Sequence, residues 1–295
     1  MPFVAAVPQD RNRAQHSLNR ALGLMNYFWK GFVTTEHRAP GVGMGRVGLV
    51  LLASVATIAL AGCATNRTGA LNADYANLSG PQIQASVADL SQRYAQDPRN
   101  KVLGIHYAAA LRAAGQTEPA VTVLENLISV HHGDAEVGLA YAKALSAAGR
   151  FEQALRVVDN AMNPVTPDWD ALSVRGAILD QMGRPAEARQ AYTQALLLAP
   201  QEARLHANLG LSYAMTGELV QAEAHLRQAA SLPGSTSKVR QNLALVLGLQ
   251  GQFEAARALY AAELPPEQVQ ANMDYIRALL TQQDRWQTIR NDTPA

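Results

Sequence analysis

The 295-residue chain has a formal net charge of only +1, which disfavours nucleic acid and acidic surfaces as partners because no global field would attract them. Aromatic residues make up 6% of the chain and alanine is abundant, which favours close-packed helices over sheets. A single cysteine, Cys63, excludes an intrachain disulfide and any metal cluster built from cysteines.

Residues 1–43 precede an apolar segment and are mildly basic. Secretion signals place only a few residues before their apolar stretch. Translation from Met44 would give that layout, since Met44-Gly45-Arg46 is followed directly by the apolar run. We therefore interpret residues 1–43 as an over-extended gene start or a disordered extension, and we draw no function from them.

Residues 47–62 are almost purely small and aliphatic. The run is about 16 residues long, short of the roughly 20 that span a bilayer but typical of a secretion signal. It leads into Leu-Ala-Gly-Cys ending at Cys63, which resembles the lipobox of bacterial lipoproteins. The resemblance implies that residues 44–62 are a cleaved signal peptide and that Cys63 is acylated. The alternative is a buried cysteine in a marginal membrane anchor.

The segment after Cys63, up to residue 80, is rich in Asn, Ser, Thr and Gly, which is typical of a flexible polar tether. In the lipoprotein family, an aspartate after the acylated cysteine favours the inner membrane. Because Ala64 stands there, the resemblance implies attachment to the outer membrane, facing the periplasm. Several acyl chains on one cysteine would anchor the chain stably.

Five glycines recur at a spacing of 34 residues and mark an internal repeat. Each is followed five residues later by alanine, and is preceded by a small residue seven places before and a bulky apolar residue four places before. The last two lie on one face of a helix because their spacing is three residues. The pattern predicts five helical hairpins whose first helix ends at a left-handed glycine. These glycines are Gly115, Gly149, Gly183, Gly217 and Gly251.

This pattern resembles the tetratricopeptide repeat, which has small residues at positions 8, 20 and 27, an aromatic residue at 24 and proline at 32. Residues 169–202 match all five positions with Gly176, Ala188, Ala195, Tyr192 and Pro200. The resemblance implies an all-α, right-handed α-solenoid within residues 81–290, with capping helices near 81–96 and 267–283. The five repeats, numbered in chain order, are 101–134, 135–168, 169–202, 203–236 and 237–270.

The first helix of each hairpin is expected to line a concave groove that binds an extended peptide or a helix. By the same resemblance, positions 2, 5, 6, 9, 12 and 13 of each repeat face this groove. The amides of Asn208 and Asn242, both at position 6, can donate to and accept from a peptide backbone. The alternative is that both are ordinary solvated residues. The candidate partner-binding residues are Arg204, Asn208, Leu211, Lys238, Asn242, Leu245 and Leu249.

Patterns that carry catalysis or bind metal are weak in this sequence. The adjacent His131 and His132 would point in different directions, no helix carries a metalloprotease-type histidine pair, and no glycine-rich phosphate loop follows a strand. We therefore expect no enzymatic activity, no catalytic residue, no metal, and no cofactor apart from the covalent lipid on Cys63.

From Met44 onward, the lipobox, the tether, the repeats and the tail around residues 264–277 resemble the TadD family of lipoproteins, which serve pilus assembly in the tight adherence (Flp pilus) system. The resemblance implies a pilotin-like scaffold that binds protein partners, a secretin or other assembly components, through the groove. The alternative is a general envelope adaptor that recruits peptidoglycan enzymes or another secretion apparatus with the same groove.

Overall fold

A computed structural model describes residue 75 and residues 78–292, with side chains up to residue 281. The extension, the signal peptide, Cys63 and nearly all of the tether lie outside the described residues, so these expectations stay predictions. No helix in the described part of the chain is long and apolar enough to cross a membrane.

The described residues form a helix, five helical hairpins and a final helix. The first helix, α1, spans Gly80–Gln96, and the last, α12, spans Pro266–Asp292. The hairpins are α2 (Lys101–Ala113) with α3 (Thr117–Val130), α4 (Ala135–Ala147) with α5 (Phe151–Ala161), α6 (Trp169–Gln181) with α7 (Pro185–Leu198), α8 (Ala203–Met215) with α9 (Leu219–Ser231), and α10 (Ser237–Leu249) with α11 (Phe253–Glu263). One hairpin falls in each of the five predicted repeats, which confirms the α-solenoid.

The final helix is longer than the sequence pattern indicated. We expected it to end near residue 283, but its main chain stays helical to Asp292. Between Glu267 and Asp292 there is neither proline nor glycine, so no residue in this stretch breaks the main-chain hydrogen bonding.

Each hairpin turn is set by the predicted glycine. The five glycines have φ between 72° and 82°, a left-handed conformation that other residues adopt at a cost. In the first turn the Gln116 amide donates to the Leu111 carbonyl at 2.8 Å, and the Gly115 amide donates to the Arg112 carbonyl at 3.0 Å. This is the Schellman pattern, which satisfies the last carbonyls of a helix before the chain reverses.

The two helices of a hairpin approach closely because small residues face large ones. A Cβ atom on Gly176 would lie 2.5 Å from Cε1 of the buried Tyr192, and one on Gly210 would lie 2.8 Å from Cγ of Leu226. Each first helix also contacts the first helix of the next hairpin. The first helices therefore form a continuous row, which is the wall of the predicted groove.

Helix α12 closes the array at its C-terminal end. Its Met273 and Ile276 are fully buried, and a Cβ atom on Gly248 of α10 would lie 2.5 Å from Cδ1 of Ile276. Helix α12 also contacts α11. It therefore packs where the first helix of a sixth hairpin would pack.

Candidate partner-binding groove

Five of the seven predicted groove residues keep some exposure. The Arg204 side chain is 50% exposed, whereas Asn208, Leu211, Lys238 and Leu249 are half-buried. Whether these residues bind a partner stays a prediction. Burial lowers the pKa of the Lys238 ammonium, so this cation lies well down among its neighbours.

The other two residues do not line an open groove. Asn242 is only 8% exposed and Leu245 is fully buried. Leu245 belongs to the same apolar cluster as Met273 and Ile276 of α12, so the closing helix and its neighbours take up the surface that position 9 presents elsewhere. The prediction that Asn242 and Leu245 are available to a partner is therefore wrong.

Asn208 is held by the neighbouring repeat. Its Nδ2 donates to Oγ of Ser173 on α6 at 3.2 Å, and Ser173 is buried. Neither Asn208 nor Asn242 is an ordinary solvated residue, so the alternative interpretation of the pair is also wrong. The Asn208 amide stabilises the contact between repeats 3 and 4, whatever else it binds.

Three successive repeats bring charged side chains together in the groove. Asp170 on α6 accepts from Nζ of Lys143 on α4 at 2.7 Å, and its other carboxylate oxygen lies 3.1 Å from a terminal guanidinium nitrogen of Arg204 on α8. The Arg112 guanidinium on α2 interacts electrostatically with the same carboxylate. We call Arg112, Lys143, Asp170 and Arg204 the charged cluster.

The charged cluster contains three cations and one carboxylate. Burial lowers the pKa of the Arg112 guanidinium, and Asp170 opposes that shift. Burial likewise lowers the pKa of Lys143, with Asp170 opposing and the nearby Arg204 and Arg112 adding to the shift. Among the described residues, no carboxylate lies within ion-pair distance of Arg112. The cluster therefore has an excess of desolvated positive charge.

The aromatic ring of Trp169 supports Arg204. The guanidinium carbon of Arg204 lies 5.1 Å from the centre of the Trp169 ring, within the range of a cation–π contact. Sequence reasoning identified only Arg204 among these residues. Arg112, Lys143 and Asp170 stand at positions 12, 9 and 2 of their repeats, so the groove register itself was the pattern that could have found them.

The cation nearest to the start of the array is already neutralised. Nζ of Lys101 lies 3.0 Å from Asp134 and 2.9 Å from Glu136. Asp134 also caps α4, since it accepts from the amides of Glu136 and Val137. Lys101 therefore ties repeat 1 to repeat 2 and adds no uncompensated charge to the groove.

A second polar group of residues lies inside the contact between repeats 3 and 4. Asp180 is 7% exposed and accepts from Ser212 Oγ at 2.8 Å and from the Tyr192 hydroxyl at 3.1 Å. Burial raises the pKa of Asp180 to about 7, against the opposing effect of these hydrogen bonds and of Arg189. Arg189 also donates to the Ser212 carbonyl and to Glu218. These groups join the two repeats and present little surface to a ligand.

Neither predicted histidine lies in a cluster of metal-ligating side chains. Nε2 of His131 lies 2.8 Å from the Arg99 carbonyl oxygen. The described residues contain no group of three or more His, Cys, Asp and Glu side chains that could hold a metal ion.

The sequence matches two family models. A tetratricopeptide repeat-like domain matches residues 61–212, just over half of the chain, and a tetratricopeptide-repeat model matches residues 203–228 and 240–262. Neither model describes an enzyme. No curated protein matches the sequence.

Solved structures show the same fold. The chain is similar to TTC0263, a tetratricopeptide-repeat protein of Thermus thermophilus, with 23% identity, a TM-score of 0.53, and coverage of 59% of this chain and 97% of that one. It is similar to PilW, a type IV pilus biogenesis factor, with 19% identity, a TM-score of 0.51, and coverage of 68% and 91%. Human IFIT1 is similar at 14% identity and a TM-score of 0.53, and the match covers 62% of this chain and about half (46%) of that one. At these identities the similarity shows the fold alone.

Proposed function

The chain belongs to the tetratricopeptide-repeat family, and from that premise we propose that it is an outer-membrane lipoprotein that scaffolds the assembly of Flp pili. Its task would be to hold a secretin, or another component of the assembly apparatus, in the groove. Repeats of this family serve as surfaces for protein–protein interaction, and the array presents a row of first helices for that purpose.

The observation that carries this proposal is the charged cluster. Charged residues on the surface of a single helix are common, but here Lys143, Asp170 and Arg204 come from three different hairpins and meet within hydrogen-bonding and ion-pair distance. Asp170 neutralises only part of the positive charge. Such a surface is suited to recognising a protein segment by its charge and shape rather than to chemistry on a substrate.

The location follows from the segment before the array. Leu-Ala-Gly-Cys at Cys63 resembles a lipobox, and the polar tether after it is about 17 residues long. A Gly/Ser-type tether of this length spans about 20 to 25 Å on average. Acylation of Cys63 would therefore hold the array close to the membrane in which a secretin pore assembles.

The choice of pilus assembly rests on likeness. The lipobox, tether, array and tail resemble TadD, the pilus-assembly lipoprotein of the tight adherence system. PilW, with which the chain shares its fold, is a biogenesis factor for another class of pilus. This likeness supports a scaffold role in pilus assembly and assigns no catalytic residue.

Deletion of the gene tests the proposal. We expect loss of surface Flp pili and of assembled secretin multimers, with both restored by the wild-type gene. Surface pili are counted by electron microscopy, and multimers are followed on immunoblots of outer-membrane fractions. Normal pili and normal secretin multimers in the deletion strain would contradict the proposal and favour the envelope-adaptor alternative, as would a gene neighbourhood of wall-remodelling enzymes without a secretin or pilin.

The anchor is tested by Cys63→Ser. We expect this variant to leave the membrane fraction, to lose the mass of its acyl chains, and to fail to restore outer-membrane secretin multimers in the deletion strain. Circular dichroism should show unchanged helix content, because Cys63 precedes the array. An unmodified, uncleaved Cys63 in the mass spectrum of the wild-type protein would contradict the lipoprotein assignment.

A further inference from the structure

Building on the proposed scaffold role, we propose that the charged cluster is a binding site for an extended acidic segment of a protein partner. Two carboxylate side chains of that segment, at positions i and i+2, would pair with Arg112, Lys143 and Arg204. The proposal rests on charge balance, on the geometry around Asp170 and on the place of the cluster in the groove.

The charge balance requires an anion. Three cations share one carboxylate, and Arg112 has no carboxylate among the described residues within ion-pair distance. Removing a cation from water without pairing it costs free energy, and a partner that supplies the missing charge recovers that cost. Two further carboxylates would bring the cluster from three cations against one anion to three against three.

The geometry around Asp170 shows which anion fits. Lys143 and Arg204 already hold a carboxylate, at 2.7 Å and 3.1 Å, and they hold it from opposite neighbouring repeats. One oxygen of Asp170 is buried and lacks a well-aligned hydrogen bond, so this internal pairing is imperfect. A carboxylate from a partner can therefore compete with Asp170 for the same cations.

The spacing of the repeats favours an extended segment. First helices of adjacent hairpins pack about 8 to 10 Å apart. In an extended chain, side chains at i and i+2 lie on the same face and are about 6.6 Å apart. A pair of acidic residues with this spacing can reach cations on neighbouring first helices at once.

The surroundings favour protein over nucleic acid. The groove positions beside the cluster carry small or aliphatic residues, including the half-buried Leu139, Ala140 and Ala177. The ring of Trp169 beside the cluster is already covered by Arg204. Single-stranded nucleic acid binds best where a basic channel is combined with open aromatic platforms for the bases. An aliphatic wall suits peptide side chains instead.

The place of the cluster favours an internal segment over a free C-terminus. Its residues come from repeats 1 to 4, so groove surface continues on both sides of Asp170. Arg204 and Leu211 of repeat 4 lie beyond it, and His106 and Ile105 of repeat 1 lie before it. A chain that runs through the cluster uses both sides, whereas a chain that ends there leaves half of the groove empty.

Calorimetric titration of the full chain with short peptides tests the proposal. The probe is an acetylated and amidated peptide of about ten residues with a central Glu-Ala-Glu, and its matched control carries Gln-Ala-Gln. We expect the acidic peptide to bind, and to weaken steeply as salt is raised, while the control peptide does not bind at about 1 mM.

Variants of the cluster should change affinity in opposite directions. Arg112→Gln and Arg204→Gln should each weaken binding of the acidic peptide by about tenfold, which is typical of a lost charged hydrogen bond. Asp170→Asn should instead strengthen binding by several fold, because it removes the competing carboxylate. Arg156→Gln, at an exposed position on α5, is the matched control and should leave affinity unchanged. Thermal unfolding by circular dichroism confirms that each variant is folded.

Several results would overturn the proposal. These are equal binding of the two peptides, no binding of either, or binding that needs a free C-terminal carboxylate. Preferential binding of a single-stranded oligonucleotide would do the same, as would an Asp170→Asn variant that binds more weakly than the wild type. If the deletion strain lacks pili while the acidic peptide fails to bind, the scaffold function stands and only this assignment of the ligand falls.

Discussion

Repeats 4 and 5 carry the same residues at two groove positions but expose them differently. Asn208 and Leu211 of repeat 4 are half-buried at the groove, whereas Asn242 and Leu245, in the same register, are buried. The difference arises because repeat 4 is followed by another hairpin, while repeat 5 is followed by α12, which packs against α10. In a repeat protein the position within the repeat sets which way a side chain points, and the neighbour decides whether it is accessible.

The comparison is tested most strongly by truncating the two leucines. Leu245→Ala should lower the free energy of unfolding by about 2 to 5 kcal/mol, because it removes a fully buried side chain and leaves a cavity. Leu211→Ala should cost clearly less, about 1 kcal/mol, because that side chain is already half exposed. Urea denaturation of the two variants measures both values. Equal losses would show that the two repeats do not differ in the way described.

A second test concerns the two sides of repeat 4, since it meets repeat 3 through Asp180 and repeat 5 through apolar residues. Burial raises the pKa of Asp180 from 3.8 to about 7, so the folded chain binds more protons than the unfolded chain between these values. The free energy of unfolding should therefore fall as pH rises from about 4 to 7, by up to about 4 kcal/mol from this group, and then stay level.

Asp180→Asn isolates that contribution. The difference in unfolding free energy between the wild type and this variant should change with pH across the same window, as measured by urea denaturation at pH 4.5, 6 and 8. Asp97→Asn, at an exposed position after α1, serves as the control and should show little such dependence. A pH-independent difference for Asp180→Asn would mean that the buried carboxylate ionises at its ordinary pKa in the folded chain.

The smallest effect is expected for the hydrogen bond between Asn208 and Ser173. Asn208→Ala should lower the free energy of unfolding by about 0.5 to 1.5 kcal/mol, the usual contribution of one hydrogen bond. In a double-mutant cycle, Asn208→Ala combined with Ser173→Ala should cost less than the sum of the two single changes. Additive losses would show that the two side chains do not interact in solution.

The hairpins were predictable because their determinants are local. Gly115 and its four equivalents fix the turns by backbone conformation alone, and Gly176 beside Tyr192 fixes the close approach of two helices. The end of α12 was less predictable, since no proline or glycine marks it before Asp292. A local pattern gives the elements and their register.

The site was predictable only in part because its determinants come from different repeats. The register placed Leu245 in the groove but carried no information about what covers it, and α12 lies outside the repeating pattern. Asp170 pairs with Lys143, 27 residues earlier in the chain, and with Arg204 in the next repeat. Such pairs follow from the rotation between neighbouring repeats, which residue spacing within one repeat does not define.

Helix α12 also bears on whether molecules can join end to end. A solenoid whose last face is open can accept the first hairpin of another copy, and such head-to-tail contacts grow into filaments when they do not close on themselves. Here Ile276 already fills the space above Gly248, so a second molecule would have to displace α12 before it could extend the superhelix. At this end the length of the array is fixed within one polypeptide, and fibre growth is blocked by the chain's own last helix.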